Sequence, residues 1–102
     1  YLLVHGAWHG GWCWKRVTKL LRDAGHNVFT PTLTGLGERA HLATPDIDIE
    51  CHINDVLGVI EAEELDSIVL CGHSYGGQVI SAVLDRQVGK FSAAIWLDAF
   101  VP

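Results

Sequence analysis

A serine framed by glycines is the feature of this sequence that could most directly do chemistry. Ser74 lies in a Gly-x-Ser-x-Gly pattern at 72–76, between an apolar run and a stretch of helical periodicity. That layout is typical of a nucleophile elbow, a tight strand-to-helix turn that presents a serine hydroxyl at the end of a parallel sheet. Gly72 and Gly76 fall where a side chain would crowd a strained turn. We predict that Ser74 is a catalytic nucleophile, which requires a histidine base and an acid to manage its proton.

A second glycine cluster could provide a backbone N–H donor that a catalytic serine needs. Acyl transfer passes through a tetrahedral oxyanion, and backbone N–H donors must be in place before that charge develops. In the elbow architecture one donor is the residue after the nucleophile, here Tyr75, and the other lies in the loop after an earlier strand. The stretch 5–11 reads His-Gly-Ala-Trp-His-Gly-Gly and follows an apolar run. The sequence therefore predicts an oxyanion hole made by the N–H groups of Ala7 and Tyr75.

The elements that must position these residues alternate along the chain. Helical spacing is seen over 14–24, over 49–60 with Asp48 as its N-cap, and over 79–88, with Gly25 and Gly89 at helix ends. Apolar runs separate these helices, and they predict four strands: Tyr1 to Val4, His26 to Thr30, Ser67 to Cys71 and Ala93 to Leu97. The order βαβαβαβ predicts an α/β fold, a parallel sheet with helices on both faces.

Composition sets the class of protein. The chain has 102 residues, 49% of them hydrophobic, and a net charge of −5, which fits one domain and excludes the basic face of a nucleic-acid-binding protein. No apolar stretch reaches the ~20 residues that span a membrane. Three cysteines without CxxC spacing favour reduced thiols and a cytoplasmic setting. Because the sequence opens inside a predicted strand without a Met, we expect it to be part of a longer polypeptide.

With both motifs in order, the sequence resembles the N-terminal part of an α/β-hydrolase. It is most similar to the esterase branch that includes bacterial esterases, plant methylesterases and hydroxynitrile lyases. The stretches that carry the resemblance are Val4–Trp14, Thr32–Leu42, Gly72–Gly77 and Leu97–Pro102. The resemblance implies a partial α/β-hydrolase domain over 1–102, with Ser74 as nucleophile, Ala7 and Tyr75 at the oxyanion, no cofactor and a small, largely apolar ester as substrate. Hydroxynitrile lyases of this branch tend to carry Thr where this chain has Gly6, so Gly6 favours ester hydrolysis.

The chain departs from the family pattern in its triad. The order in this fold is Ser, then Asp or Glu, then His, and no histidine follows Ser74. Asp98, at the end of the fourth predicted strand, is a possible acid; the alternative is a polar residue that caps that strand. We expect residues 1–102 alone to be nearly inactive, because removal of the base costs several orders of magnitude in rate. Hydroxynitrile lyase activity and a non-catalytic hydrolase-like binding protein remain the alternatives.

Other residues with chemical potential have plainer interpretations. Trp8 and Trp12 could wall an apolar substrate pocket, or simply pack. His5 and His9 have a spacing that zinc ligands use on a helix, but neither a HExxH glutamate nor a third ligand accompanies them, so no metal is predicted. Gly35 to Ala40 satisfies the dinucleotide pattern G-x-G-x-x-A, yet Pro31 and Pro45 disturb its context. We expect the three remaining histidines outside the elbow to lie on the surface or to pack in loops: His26, His41 and His52.

Overall fold

The computed structural model describes residues 1–99. Three parallel strands form its sheet in the order β1-β2-β3. The strands are β1 (Leu2–Val4), β2 (Ile68–His73) and β3 (Phe91–Leu97); the α-helices are α1 (Lys15–Asp23), α2 (Ile49–Ala62) and α3 (Gly76–Arg86); two 3₁₀ helices span Gly11–Trp14 and Gly37–Leu42. None of the helices within 1–99 is both long and apolar enough to cross a membrane.

Helices cover both faces of the sheet, as the alternating pattern predicts. Leu2 and Leu70 point to one face, where they pack with α2 and α3. Leu3 and Cys71 point to the other face and pack with Trp14 at the start of α1. Successive strand side chains face opposite sides, so even a three-residue strand contributes to both clusters. The predicted α/β fold class is therefore confirmed.

One predicted strand is much shorter than expected. The segment His26 to Thr30 joins the sheet only through a parallel bridge between Phe29 and Leu2. Phe29 donates its N–H to the Tyr1 carbonyl oxygen at 2.9 Å and accepts from the Leu3 N–H at 2.9 Å. Pro31 has no N–H to continue the ladder. The prediction of a full strand over His26 to Thr30 was wrong, because only Phe29 makes a bridge, and it does so beside β1.

The sheet order explains how distant motifs meet. The carboxyl ends of parallel strands share one edge of a sheet, and β2 lies between β1 and β3. Val4 pairs with Gly72, and His73 pairs with Leu97. The loop after β1, the turn after β2 and Asp98 after β3 therefore emerge at one edge. Part of the similar stretch at the chain end, Phe100 to Pro102, lies outside the described residues.

Candidate active site

The turn after β2 has the geometry of a nucleophile elbow. Ser74 adopts φ 54°, a left-handed conformation that is costly for a residue with a side chain. A Cβ placed on Gly72 would lie 2.6 Å from the Gly76 carbonyl oxygen, and one on Gly76 would lie 2.5 Å from the Val4 carbonyl oxygen. Both glycines are therefore required by close backbone approach. The half-buried Ser74 stands between the end of β2 and the first turn of α3.

The loop after β1 approaches this turn closely. A Cβ built on Gly6 would lie 3.0 Å from the Ser74 Cβ. The loop reverses at Ala7 and Trp8, where the His9 N–H donates to the Gly6 carbonyl oxygen at 3.4 Å and Trp8 takes φ 70°. Within residues 1–99, neither the Ala7 N–H nor the Tyr75 N–H donates a hydrogen bond to the protein. The loop that carries Ala7 thus approaches the elbow, and the role of the Ala7 and Tyr75 N–H groups at an oxyanion stays a prediction.

The side chain of His5 holds the Gly6–Ala7 peptide, which carries the first of these N–H groups. Its ring is fully buried, and its Nε2 accepts the Leu33 N–H at 2.9 Å. The proton must then be on Nδ1, which donates to the Gly6 carbonyl oxygen at 2.7 Å. Burial lowers the pKa of His5, which keeps the ring in this neutral form. His5 is therefore part of the loop's scaffold, and its hydrogen bonds leave no ring nitrogen for a metal.

A second loop braces the first one. The Gly11 N–H donates to Thr32 Oγ1 at 2.8 Å, and that hydroxyl donates to Glu38 Oε2 at 2.8 Å. Bonds from its own backbone N–H and from Thr32 lower the pKa of Glu38, so the carboxylate stays an acceptor. A Cβ on Gly37 would lie 2.9 Å from the Gly10 Cα. Gly37 of the G-x-G-x-x-A pattern therefore serves loop packing, and a 3₁₀ helix begins at this glycine where a dinucleotide fold would need an α-helix.

Sequence reasoning missed His52, which was expected at the surface or in a loop. It is 7% exposed, on α2, with Nδ1 2.8 Å from the Tyr75 hydroxyl and Nε2 2.8 Å from the Thr34 carbonyl oxygen. Thr34 in turn donates its N–H and its hydroxyl to Asp55 at 2.6 and 2.7 Å. The spacing of His52 and Asp55, one helical turn apart beside the predicted apolar face of α2, is the signal that could have revealed this network.

The remaining predicted residues lie around this edge of the sheet without joining the hydrogen-bond network. The side chain of Trp8 is 91% exposed. Trp12 is 53% exposed and lines a groove of about 580 Å³ with Lys15 and Glu38, and Ser74 is not among the residues lining it. Asp98 is exposed at φ 46° immediately after β3. Their pocket and acid roles stay predictions.

The described residues also offer no ready metal centre. Within 1–99, no group of three or more His, Cys, Asp or Glu side chains is placed to hold an ion. The ring of His9 lies 6.2 Å from that of His73, whose ring also makes an edge contact with Trp14 at 6.4 Å. His73 thus packs among aromatic rings on the side of the sheet that carries α1.

Comparison with known proteins gives a consistent result. A profile of the alpha/beta hydrolase family matches residues 1–102. The chain is 59% identical over 102 residues to a carbendazim hydrolyzing esterase of Nocardioides sp. (strain SG-4G), covering 100% of this chain and 42% of that protein. It is 32% identical over 103 residues to methyl jasmonate esterase 1 of Vitis vinifera, covering 100% of this chain and 40% of that protein.

A solved structure shows the same fold. An extracellular alpha/beta-hydrolase from a Paenibacillus species, described as sharing structural and functional homology with tobacco salicylic acid binding protein 2, superposes with a TM-score of 0.90 at 31% identity. The match covers 99% of this chain and 40% of that one. The chain thus spans about two fifths of the length of the relatives it matches.

Proposed function

The chain belongs to the alpha/beta hydrolase family, and we propose that the full-length protein is a serine esterase acting on small, largely apolar carboxylic esters. The observation that supports this proposal is the close approach of the loop after β1 to Ser74. A Cβ on Gly6 would lie 3.0 Å from the Ser74 Cβ, and the two proposed donors belong to the residues that follow Gly6 and Ser74, namely Ala7 and Tyr75. An oxyanion formed at that serine would find both donors already in place.

In the proposed reaction, Ser74 Oγ adds to the ester carbonyl carbon while its proton passes to a histidine base. The carbonyl electron pair moves onto oxygen, and the Ala7 and Tyr75 N–H groups stabilise this charge, each by about 10²–10³ in rate. Collapse of the intermediate breaks the bond to the alcohol, which leaves with the proton from the histidine. Water then attacks the acyl-serine in the same way, releasing the carboxylic acid and restoring the Ser74 hydroxyl.

The base and the acid are proposed to come from the part of the protein beyond these residues. The order of the triad in this fold places both after the serine, and no histidine follows Ser74 within 1–102. His5 and His52 have both ring nitrogens engaged in hydrogen bonds. The alternative acid is Asp98, which directly follows β3 at the same edge of the sheet.

The names of two relatives support ester substrates. One is a carbendazim hydrolyzing esterase and the other a methyl jasmonate esterase. Gly6 also supports hydrolysis over the lyase alternative, because a Cβ there would stand 3.0 Å from the Ser74 Cβ and 3.1 Å from the His73 carbonyl oxygen. A threonine at position 6 would change the space directly above the nucleophile.

The test uses the full-length protein and a fluorophosphonate, from which a nucleophilic serine displaces fluoride. We expect one adduct and turnover of p-nitrophenyl butyrate, both lost in Ser74→Ala and kept in the matched variant Ser92→Ala on β3. Equal labelling of Ser74→Ala would contradict the proposal. Cyanohydrin cleavage without ester turnover would favour the lyase, and binding of the ester without turnover would favour the binding protein.

A further inference from the structure

We propose that His52 is a positioning residue for the oxyanion hole, acting through the hydroxyl of Tyr75. This inference rests on the proposed function, since it assigns a task to the residue that follows the nucleophile. Tyr75 would then have two roles. Its backbone N–H is the proposed oxyanion donor, and its side chain is tied to α2 by a hydrogen bond to a buried histidine.

The direction of each hydrogen bond in this network is fixed by chemistry. The Thr34 carbonyl oxygen can only accept, so His52 Nε2 carries the proton and donates to it at 2.8 Å. His52 Nδ1 is then the acceptor, and the Tyr75 hydroxyl donates to it at 2.8 Å. Further along, both carboxylate oxygens of Asp55 accept from Thr34. Every donor in this network therefore points away from the elbow, and the series of hydrogen bonds ends at the carboxylate oxygens of Asp55.

The network ties together three separate parts of the chain. Tyr75 belongs to the elbow, Thr34 to the loop after Pro31, and His52 and Asp55 to α2. The rings of His52 and Tyr75 also meet edge to face with centroids 5.6 Å apart. Burial and the charge of Asp48 raise the pKa of Tyr75, which keeps its phenol protonated and able to donate. The Tyr75 side chain is thus fixed at both its ring and its hydroxyl.

Such anchoring matters because the direction of the Tyr75 N–H depends on the backbone at the elbow. Ser74 holds φ 54°, while Tyr75 already has helical backbone angles of φ −55° and ψ −34°. The peptide between them carries the Tyr75 N–H, and rotation of that peptide about Ser74 ψ and Tyr75 φ would turn the donor away from the serine. A side chain fixed on α2 opposes this rotation. The anchored Tyr75 side chain would therefore stabilise the transition state, in which the N–H donor is used, more than it stabilises the bound neutral ester.

The test measures the steady-state kinetics of the full-length esterase for Tyr75→Phe, His52→Gln and the double variant. We expect each single change to lower kcat about 10-fold, less than the about 10²–10³ for outright loss of a donor, with KM within about twofold of wild type. The double variant should match the singles, because both changes cut the same bond. His52→Asn should recover most of kcat, since its amide oxygen can stand near Nδ1 and accept from Tyr75.

A transition-state analogue supplies the readout that packing alone would not move. A trifluoromethyl ketone forms an oxyanion on addition of the serine, so its affinity should fall with kcat in Tyr75→Phe. Tyr1→Phe and His26→Gln are the matched controls, since they make the same changes at remote positions, and both should behave as wild type.

The outcomes separate the two proposals. Wild-type kcat and inhibitor affinity in a folded Tyr75→Phe would overturn the positioning role, as would additive losses in the double variant. Should His52→Gln fail to fold, Tyr75→Phe decides alone, because it keeps the ring. Failure of the proposed function gives a different result, namely ester turnover that survives Ser74→Ala.

Discussion

His5 Nδ1 donates to the carbonyl oxygen of the next residue, Gly6, across 2.7 Å. In a trans peptide the C=O and the following N–H point in opposite directions. The bond that draws the Gly6 oxygen toward His5 therefore turns the Ala7 N–H away from it. A buried neutral imidazole thus sets the orientation of one proposed oxyanion donor, and His52 is proposed to do the same for the other.

The neutral form of His5 predicts a loss of stability at mildly acidic pH. Burial lowers its pKa, so below about pH 6.5 the unfolded chain binds a proton that the folded chain does not. The free energy of unfolding should fall as the pH drops from 6.5 toward the lowered pKa, and be independent of this group above 6.5. Urea unfolding of the full-length protein at pH 7.5 and 5.5 measures this.

His5→Asn provides the comparison for that measurement. The variant should be less stable at both pH values, by about 1–3 kcal/mol, since the buried Leu33 N–H loses its acceptor. Its stability should change less between pH 7.5 and 5.5 than that of the wild type. Parallel pH dependences would show that His5 does not titrate on unfolding.

A methyl group at Gly6 should impair the site. A Cβ there meets the Ser74 Cβ at 3.0 Å and the His73 carbonyl oxygen at 3.1 Å, neither at the free end of a side chain. We expect Gly6→Ala to lower kcat about 10-fold, because small displacements of reacting groups are costly. Gly58→Ala is the control: nothing lies within 4 Å of its Cβ, and in α2 it should stabilise the protein by about 0.5–1 kcal/mol without changing kcat. Unchanged kcat in Gly6→Ala would mean that the loop after β1 moves to accept the methyl group without disturbing the site.

Because the backbone of Ser74 is strained, we predict that glycine at this position stabilises the protein although it abolishes activity. Ser74 sits at φ 54°, where a residue with a Cβ pays roughly 1–2 kcal/mol that glycine does not. Ser74→Gly and Ser74→Ala both lack the hydroxyl and should both be inactive. They differ in the Cβ, so Ser74→Gly should unfold at a higher urea concentration than Ser74→Ala. We expect its free energy of unfolding to be higher by about 1 kcal/mol, once the greater entropy of glycine in the unfolded chain is subtracted. Equal stabilities would indicate that the elbow carries no strain.

The start of α2 should depend on its cap. The Asp48 carboxylate accepts the Cys51 N–H at 3.0 Å, as the sequence pattern predicts. Asp48→Ala should cost about 1 kcal/mol of stability, whereas Asp48→Asn should cost less, since an amide oxygen also caps. Asp46→Ala, at a nearby exposed aspartate, should leave the urea midpoint unchanged. A loss of the same size in Asp46→Ala would point to general charge effects instead of the cap.

Features with a strong local cause could be predicted from sequence. The elbow follows from glycines on both sides of Ser74, and the start of α2 follows from Asp48. Features that depend on contacts with residues distant in the sequence were harder to predict. The segment ending at Pro31 looks like a strand, but only Phe29 makes a bridge, because Pro31 has no N–H with which to continue the ladder.

The same limit applies to the site. His52 flanks the apolar face of its helix, and only the fold shows that this flank meets Tyr75. The tautomer of His5 likewise depends on Leu33, a residue in another loop. Sequence patterns therefore identified the groups proposed to react, while the groups that orient them needed three-dimensional contacts.

The pairing of β1 with β2 has a consequence for how the protein matures. Leu2 aligns with Leu70, and Gly76 packs on the backbone of Val4, so the elbow closes against β1. Parallel pairing over such a sequence separation is slow, because the intervening residues must be ordered before contacts reward it. We therefore expect the elbow to form only after β1 and β2 have paired, so that Ser74 becomes reactive in one cooperative folding event.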